Sequence, residues 1–236
     1  MRYTIFSLAI ICSLMSRLFA QHPLITYHST YAGNPTESKL YVADTLSYWE
    51  DMLQPDADPD GVGFVLKNIP KGNLYVKDFI FTKSFYVTDT LHPMSWRLTD
   101  QLEKTILQYR CKAAYTFFRG RNYLAYYAPE LPYALGPWKF GGLPGMILAI
   151  ETEDRSFGFE ALSIAYPMPF AIPLKKLSDY EWMNWGDFCR QFTTSVNHYA
   201  HYLQTVQAAD GGTVHLKVDR LEIIYPEAQS GIGISN

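Results

Sequence analysis

The chain has 236 residues with a formal net charge of −3, and 48% of them are hydrophobic and 16% aromatic. A chain of this length buries a sizeable core, and a β-rich chain of this size commonly forms one domain. Because the balance is slightly acidic and no basic run occurs, composition excludes a polycationic binder of nucleic acid or membrane surfaces.

The first twenty residues have the parts of a secretory signal peptide. Arg2 provides a positive start, residues 3–15 are largely apolar, and Ala20 is a small residue suited to cleavage. The apolar stretch is shorter than the ~20 residues that a membrane span needs. We therefore predict a signal peptide at 1–20 and a single exported β-rich domain at 21–236.

Short apolar segments separated by Gly, Pro, Asn and Asp follow along most of the chain. Strands separated by turn residues at about 8–12-residue spacing predict an antiparallel sheet. The predicted strands are 24–32, 39–43, 64–68, 74–81, 85–90, 105–109, 111–118, 122–127, 146–151 and 156–166.

After three prolines at 167, 169 and 173, apolar residues recur at steps of three and four, which predicts a helix. Ser178 and Glu181 have capping-box spacing, and the helix from Ser178 spans roughly 28 residues. Gly211 and Gly212 end it, and residues 214–225 read as a closing strand. The predicted fold class is α+β: an antiparallel, curved or half-barrel sheet with one long C-terminal helix followed by a closing strand.

Two cysteines, Cys111 and Cys189, follow the predicted signal peptide. In an oxidising compartment such a pair is a candidate disulfide. Closing so long a loop contributes ~4.5 kcal/mol in the chain-entropy model. The alternative is a pair of buried free thiols, and the sequence leaves both open.

No catalytic or metal-binding signature is complete. A nucleophile elbow, a zincin motif and a Cys-x-x-Cys pair are all absent from the sequence. Gly136 and Gly141 have phosphate-loop spacing, but Gly142 and Leu143 follow where that loop requires Lys and Ser or Thr. Two histidines, 198 and 201, share a predicted helix face without further ligands nearby. The sequence therefore predicts no catalytic residue, metal site or cofactor.

Arg119 and Arg121 flank a glycine in a predicted strand region. Alternate strand residues share a face, so two guanidinium groups there could jointly hold a carboxylate or phosphate. The other interpretation pairs them with Glu130, Glu151 or loop carbonyls inside the protein, and the acidic residues that follow favour it.

Four prolines and four glycines fall between Pro129 and Gly145. Proline fixes φ and glycine permits positive φ, so this segment predicts an ordered loop. Its rings are either a rigid aromatic platform for a ligand or partner, or a plug that closes one end of the sheet. The candidate binding residues are Trp138, Phe140, Gly141, Gly142, Leu143, Pro144 and Gly145.

A family resemblance begins in this segment. Gly142-Leu143-Pro144-Gly145-Met146-Ile147 resembles the signature of the GLPGLI family of secreted bacterial proteins, with Met146 in place of Leu. Further matches follow in the family's order, strongly over 96–150 and weakly elsewhere: Tyr109-Arg110-Cys111, Phe118-Arg119-Gly120-Arg121, Gly136-Pro137-Trp138-Lys139-Phe140 and Arg220-Leu221-Glu222. The resemblance implies export and a location in the periplasm or at the outer membrane. It implies no enzymatic activity, cofactor or catalytic residue.

Three functions are consistent with these observations. The leading hypothesis is a non-catalytic cell-envelope protein that binds an apolar ligand, a peptide or an outer-membrane partner on the concave side of its sheet. The second is a structural subunit of an envelope complex, for which Trp138 and Phe140 would be exposed. The third is an envelope hydrolase that uses Glu130, Glu151 or a histidine. The exposure of the two rings and the surroundings of the carboxylates distinguish them.

Overall fold

A computed structural model of the chain describes residues 22–43, 45–52, 61–166, 174–207 and 216–224. The predicted signal peptide and the three prolines before the helix lie outside these ranges. Among the described residues, no helix combines the length and the hydropathy needed to span a lipid bilayer.

One sheet dominates the described part of the chain. Its strands are β1 (Leu24–Tyr31), β2 (Asn34–Val42), β3 (Leu46–Asp51), β4 (Phe64–Asn68), β5 (Asn73–Ile80), β6 (Lys83–Thr90), β7 (Arg97–Ile106), β8 (Tyr109–Phe118), β9 (Arg121–Ala128), β10 (Met146–Thr152), β11 (Phe157–Ala165) and β12 (Trp182–Asn184). Their order is β12-β6-β5-β4-β3-β2-β1-β11-β10-β9-β8-β7. Neighbours run antiparallel, except that β12 runs parallel to β6. The predicted antiparallel sheet is confirmed.

Tight turns and alternating burial explain the hairpins. The β1–β2 turn consists of Ala32 and Gly33, both at positive φ (50° and 81°), which suits the right-handed twist of the flanking strands. Along β1, Ile25 and Tyr27 are buried whereas His28 is exposed. This period of two gives the sheet one apolar face.

The sheet curls, and its apolar face lies on the inner side of the curve. The Tyr27 hydroxyl in β1 donates to the carbonyl of Ile147 in β10 at 2.8 Å. The Lys67 ammonium in β4 donates to the carbonyls of Gly136 and Phe140 at 2.7 and 2.5 Å. Both acceptors of Lys67 belong to the loop between β9 and β10, far from β4 in the strand order. The concave face therefore encloses this loop, and the core lies there.

The helix α1 (Trp185–Gln207) covers β6 and β12, and its Phe188, Phe192 and Val196 are buried. It begins seven residues after the predicted cap at Ser178, which was wrong. A 3-10 helix (Leu174–Asp179) and β12 occupy the interval. The cap is Asn184, whose Oδ1 accepts from the Asp187 amide at 2.9 Å. Parallel pairing with β6 outweighs the capping-box pattern, because it buries part of Trp182.

Two other predicted strands are corrected. The segment 105–109 is not a strand, because the chain turns at Leu107 (φ 55°) between β7 and β8. The closing strand predicted at 214–225 is absent from its described part, 216–224. That segment is held by isolated hydrogen bonds and not by a strand ladder. For example, the Tyr123 hydroxyl donates to the Leu221 carbonyl at 2.6 Å, and the Ile223 amide donates to the Arg119 carbonyl at 2.9 Å. Because twelve strands and one α-helix make up the described part, the sheet has a larger share of the fold than the α+β prediction implied.

Of the two alternatives for the cysteines, the structure has free thiols at Cys111 and Cys189, of which only Cys111 is buried. Cys111 lies in β8 beside one edge of the strand order, whereas Cys189 lies on α1, which packs on β6 and β12 at the other edge. The Cys111 thiol is buried and donates to the Tyr109 carbonyl at 3.6 Å. Burial raises the pKa of Cys111 to about 11, so it is an unreactive thiol.

We expect Gly145→Ala to destabilise the protein by about 1–3 kcal/mol more than Gly33→Ala, because it adds a steric overlap to the backbone strain that both share. Both glycines have positive φ, but a Cβ at Gly145 would lie 2.3 Å from the Ala128 carbonyl oxygen, whereas one at Gly33 meets nothing within 4 Å. Urea denaturation measures both values. Equal losses would contradict the packing of the loop against Ala128.

Candidate ligand-binding site

The Gly/Pro-rich loop at 129–145 fills one part of the concave face. Phe140 is fully buried and packs edge-on against Tyr123, with ring centroids 4.8 Å apart. Trp138, 8% exposed, packs against Phe140 at 5.2 Å. Of the two interpretations of this loop, the plug describes Phe140. The exposed rings that a structural subunit required are not found.

The loop has its own backbone hydrogen bonds, which account for several of the candidate residues. Gly141 forms a β-bridge with Leu135, and its carbonyl accepts from the Trp96 indole at 2.9 Å. Gly142 donates to the Ala134 carbonyl at 2.9 Å. The remaining candidates divide by exposure, with Leu143 and Gly145 buried and Pro144 exposed. These residues therefore shape the loop, and they are absent from the lining of the three cavities described below.

A buried cluster of four charges ties the loop to three other segments. Lys139 of the loop bonds Glu222 at 2.8 Å and Asp89 at 3.3 Å. Arg119 pairs with the same two carboxylates, at 2.7 Å for Asp89. The ring of Trp185, the first residue of α1, lies 4.0 Å from the Arg119 guanidinium and 4.3 Å from the Lys139 ammonium. Two cations and two anions balance, so the cluster satisfies itself.

The two arginines do not form a joint anion site. Arg119 lies in the β8–β9 turn at φ 45°, whereas the shared-face argument requires both arginines to be in a strand. Arg121 donates to the Arg220 carbonyl at 2.8 and 3.1 Å and lies 3.5 Å from the Asp154 carboxylate. The interpretation that assigns them internal partners is right: Arg121 bonds a loop carbonyl, as predicted, whereas the carboxylate partners are Asp89, Glu222 and Asp154 and not Glu130 or Glu151.

Beyond the plug, a cavity of about 450 Å³ remains in the concave face. It lies where β1 and β3 end and β4 begins, and the exposed residues Ala32, Met52 and Gly61 form part of its rim. Aromatic side chains make up much of its wall: Tyr31, Trp49, Phe64, Phe79, Trp138 and Phe157. Trp138 thus has a second role, because one side of the plug's indole faces this space.

Asp51, the last residue of β3, lines the cavity. Its Oδ1 accepts from the Tyr31 hydroxyl at 2.9 Å and from the Ser38 hydroxyl at 2.6 Å. Burial raises the pKa of Asp51, although the two hydroxyls oppose the shift. Asp51 is therefore a desolvated carboxyl beside an aromatic wall.

The carboxylates of the hydrolase hypothesis lie elsewhere. Glu130 is exposed on the turn after β9. Glu151 lines two depressions away from this cavity, of about 540 and 120 Å³, and the smaller also contains His28. On α1, His198 and His201 are exposed. Within the described ranges, no group of three or more His, Cys, Asp or Glu could hold a metal ion.

Three residues of this region escaped the sequence analysis: Lys67, Asp89 and Asp51. A signal existed for Asp51, because it is two residues after Trp49 on a strand and therefore shares its inward face. For Lys67 the available signal was its position inside a predicted apolar strand, which is consistent with burial. Nothing local distinguishes Asp89.

Comparisons with known proteins bear on the fold. No family model and no curated protein matches the chain. Among solved structures, PNGF-II in its C2 and P21 crystals is similar, with TM-scores of 0.56 and 0.55 at 16% and 17% identity. The match covers 75% of this chain and 34% of PNGF-II, so the chain spans about a third of that protein. The Pseudomonas aeruginosa MucA/MucB complex matches with a TM-score of 0.37 at 9% identity, over 65% of this chain and 54% of that one. The PNGF-II likeness concerns the fold alone, and the MucA/MucB score is too low to support an argument.

We expect Lys139→Met to cost about 3–5 kcal/mol of unfolding free energy, because it leaves a buried negative charge unbalanced. The double variant Lys139→Met/Glu222→Gln restores the balance and should recover much of this loss. Glu160→Gln, at the exposed pair with Lys104, is the control and should cost about 1 kcal/mol or less. Urea denaturation compares them. A double variant no more stable than Lys139→Met would contradict the charge balance.

Lys67 gives the protein a predictable pH dependence. Burial lowers the pKa of Lys67 to about 7, whereas the unfolded chain keeps an ordinary lysine near ~10.4. Between these pH values the unfolded state binds the proton more strongly. The loss of stability caused by burying the charged ammonium is therefore complete below pH 7 and disappears as the pH rises toward the unfolded pKa.

We therefore expect the unfolding free energy of the wild type minus that of Lys67→Met to rise between pH 7 and 10, by about 4 kcal/mol at most. Groups that titrate in both proteins cancel in this difference. Lys104→Met, at an exposed lysine, is the matched control and should give a nearly constant difference. A constant difference for Lys67→Met as well would contradict the burial of its ammonium.

Proposed function

We propose that this chain is an exported, non-catalytic binding protein of the bacterial cell envelope that holds a small apolar ligand in the concave cavity. The cavity itself carries the proposal. Its volume of about 450 Å³ falls within the ~300–1,000 Å³ of small-molecule sites, which are typically walled by apolar and aromatic side chains. Export rests on the signal-peptide pattern and on the resemblance to the GLPGLI family.

The plug makes the site preformed. Because Phe140 already fills the neighbouring part of the core, the cavity exists without any movement of core residues. The loop is held to β4 by Lys67 and to the C-terminal segment by Lys139 and Glu222. A wall fixed in this way avoids the ordering cost of binding.

The surroundings of the carboxylates favour binding over catalysis. The lining contains no histidine, cysteine or serine among the described residues. Its Glu222 is already paired with Arg119 and Lys139. Neither carboxylate of the hydrolase hypothesis reaches the cavity. An arrangement of acid, base and nucleophile is therefore missing from the described lining.

The test uses the neutral dye N-phenyl-1-naphthylamine, whose fluorescence rises in an apolar site. We expect the exported protein to bind it, and octanol, which is neutral and apolar, to raise the melting temperature. Val76 lines the cavity, so Val76→Trp fills the space and should weaken dye binding about tenfold or more, which is about 1.4 kcal/mol. Val76→Ala enlarges the cavity and should keep binding.

Leu98→Trp is the control, because Leu98 is 55% exposed and lies outside the cavity. Circular dichroism checks that each variant folds. Equal dye binding by folded Val76→Trp and Leu98→Trp would contradict the assignment of the cavity. If neither the dye nor octanol bound the wild type, the proposed function would be wrong.

A further inference from the structure

The charged residues around the cavity differ in whether they already pair with a residue of opposite charge. The described lining has four acidic residues and two basic ones: Asp51, Asp78, Asp219, Glu222, Lys77 and Arg220. Three of the acids already have cationic partners. Asp78 pairs with Arg220 at 2.5 Å, Asp219 with Lys217 at 2.9 Å, and Glu222 with Lys139 at 2.8 Å.

Asp51 differs from the other three. It forms no ion pair with any described residue, and its two hydrogen bonds come from neutral hydroxyls that converge on Oδ1. Oδ2 accepts no hydrogen bond from the described part of the chain. A desolvated carboxylate is costly unless a cation or several donors compensate it. Oδ2 is therefore the acceptor that the cavity offers to a ligand.

The rings beside Asp51 suit the same kind of group. Tyr31 bonds the carboxylate directly, and Trp49 precedes it by two residues on the same face of β3. Both rings line the cavity. Aromatic rings in the lining suit a cationic group, because aromatic faces attract cations and do so more strongly when water is excluded.

An anionic ligand finds no comparable partner. The Arg220 guanidinium donates to the Phe79 carbonyl at 3.0 Å and to Asp78, and it packs over the rings of Phe188 and Phe192. Its remaining nitrogen, Nε, is buried and therefore out of reach of a ligand. Lys77 is buried and lies over the Phe79 ring at 5.8 Å.

We propose that the ligand of this cavity is a small apolar molecule that ends in an ammonium group, and that Asp51 is the residue that binds this group. This inference rests on the proposed function and assigns its ligand class. The apolar body lies against the aromatic wall, and the ammonium donates to Oδ2 while the Tyr31 and Ser38 hydroxyls hold Oδ1.

Two matched series test the proposal by calorimetry. Tryptamine, tryptophol and indole-3-propionate share one ring and differ in the charge of the end group. Octylamine, octanol and octanoate repeat the comparison with an alkyl chain. The wild type should bind each amine more tightly than its alcohol, and the carboxylate most weakly. Charged hydrogen bonds predict a difference of about tenfold or more.

The variant Asp51→Asn retains an oxygen for the two hydroxyls but removes the charge. It should lose the preference for amine over alcohol and keep its affinity for tryptophol. Glu50→Gln is the matched control, because Glu50 is the neighbouring carboxylate on the other face of β3, where it accepts from the Tyr41 hydroxyl. It should bind all six probes as the wild type does.

Each outcome decides between the two proposals. If the wild type bound amines and alcohols equally, or if folded Asp51→Asn kept the preference for amines, the role of Asp51 would be wrong while the apolar site stood. If N-phenyl-1-naphthylamine and all six probes failed to bind, the proposed function itself would fall. The ranking in the wild type decides the ligand class even where Asp51→Asn does not fold.

Discussion

The curl of the sheet depends on a loop that bonds to strands far from its own. The loop 129–145 connects β9 to β10, yet its carbonyls at Gly136 and Phe140 accept from Lys67 in β4. β7 and β12 stand at the two ends of the strand order and do not pair with each other. No strand ladder in the described part therefore holds the two ends of the sheet together. The curl is instead stabilised by what lies inside it, namely the rings of the loop and the buried ammonium of Lys67.

The charge cluster extends this arrangement to the rest of the chain. Asp89 belongs to β6, Arg119 to the β8–β9 turn, Lys139 to the loop, and Glu222 to the C-terminal segment. Buried ion pairs contribute little net stability compared with apolar packing, because desolvation offsets most of the attraction. Buried ion pairs nevertheless require exact positions, because a misplaced segment would leave a buried charge without its partner. The cluster therefore specifies how the four segments meet more than it strengthens their contact.

The sequence predicted those parts of the fold that local patterns determine. The strand at 64–68 matches β4 because an apolar run between turns has one simple solution. β7 was missed over most of its length because it is an edge strand whose residues are largely polar and exposed, so no apolar period marks it. The helix start was wrong because capping boxes are local, whereas the pairing of Trp182 with β6 spans almost one hundred residues. The same reason hid the site: Asp51 and Trp138 are ordinary residues until the curl brings their strands and loop together.

The position of the cavity follows from the plug. The rings of the loop occupy one part of the space that the curled sheet encloses. What remains is bounded by Trp138 on the loop side and by the ends of β1, β3 and β5 on the other. A carboxylate left unpaired in such a space lowers stability, and the neighbouring acids avoid this cost by taking cations from the C-terminal segment or the loop. Asp51 has no such cation among the described residues, and the Tyr31 and Ser38 hydroxyls compensate Oδ1 alone, which is why we propose that a ligand ammonium compensates Oδ2.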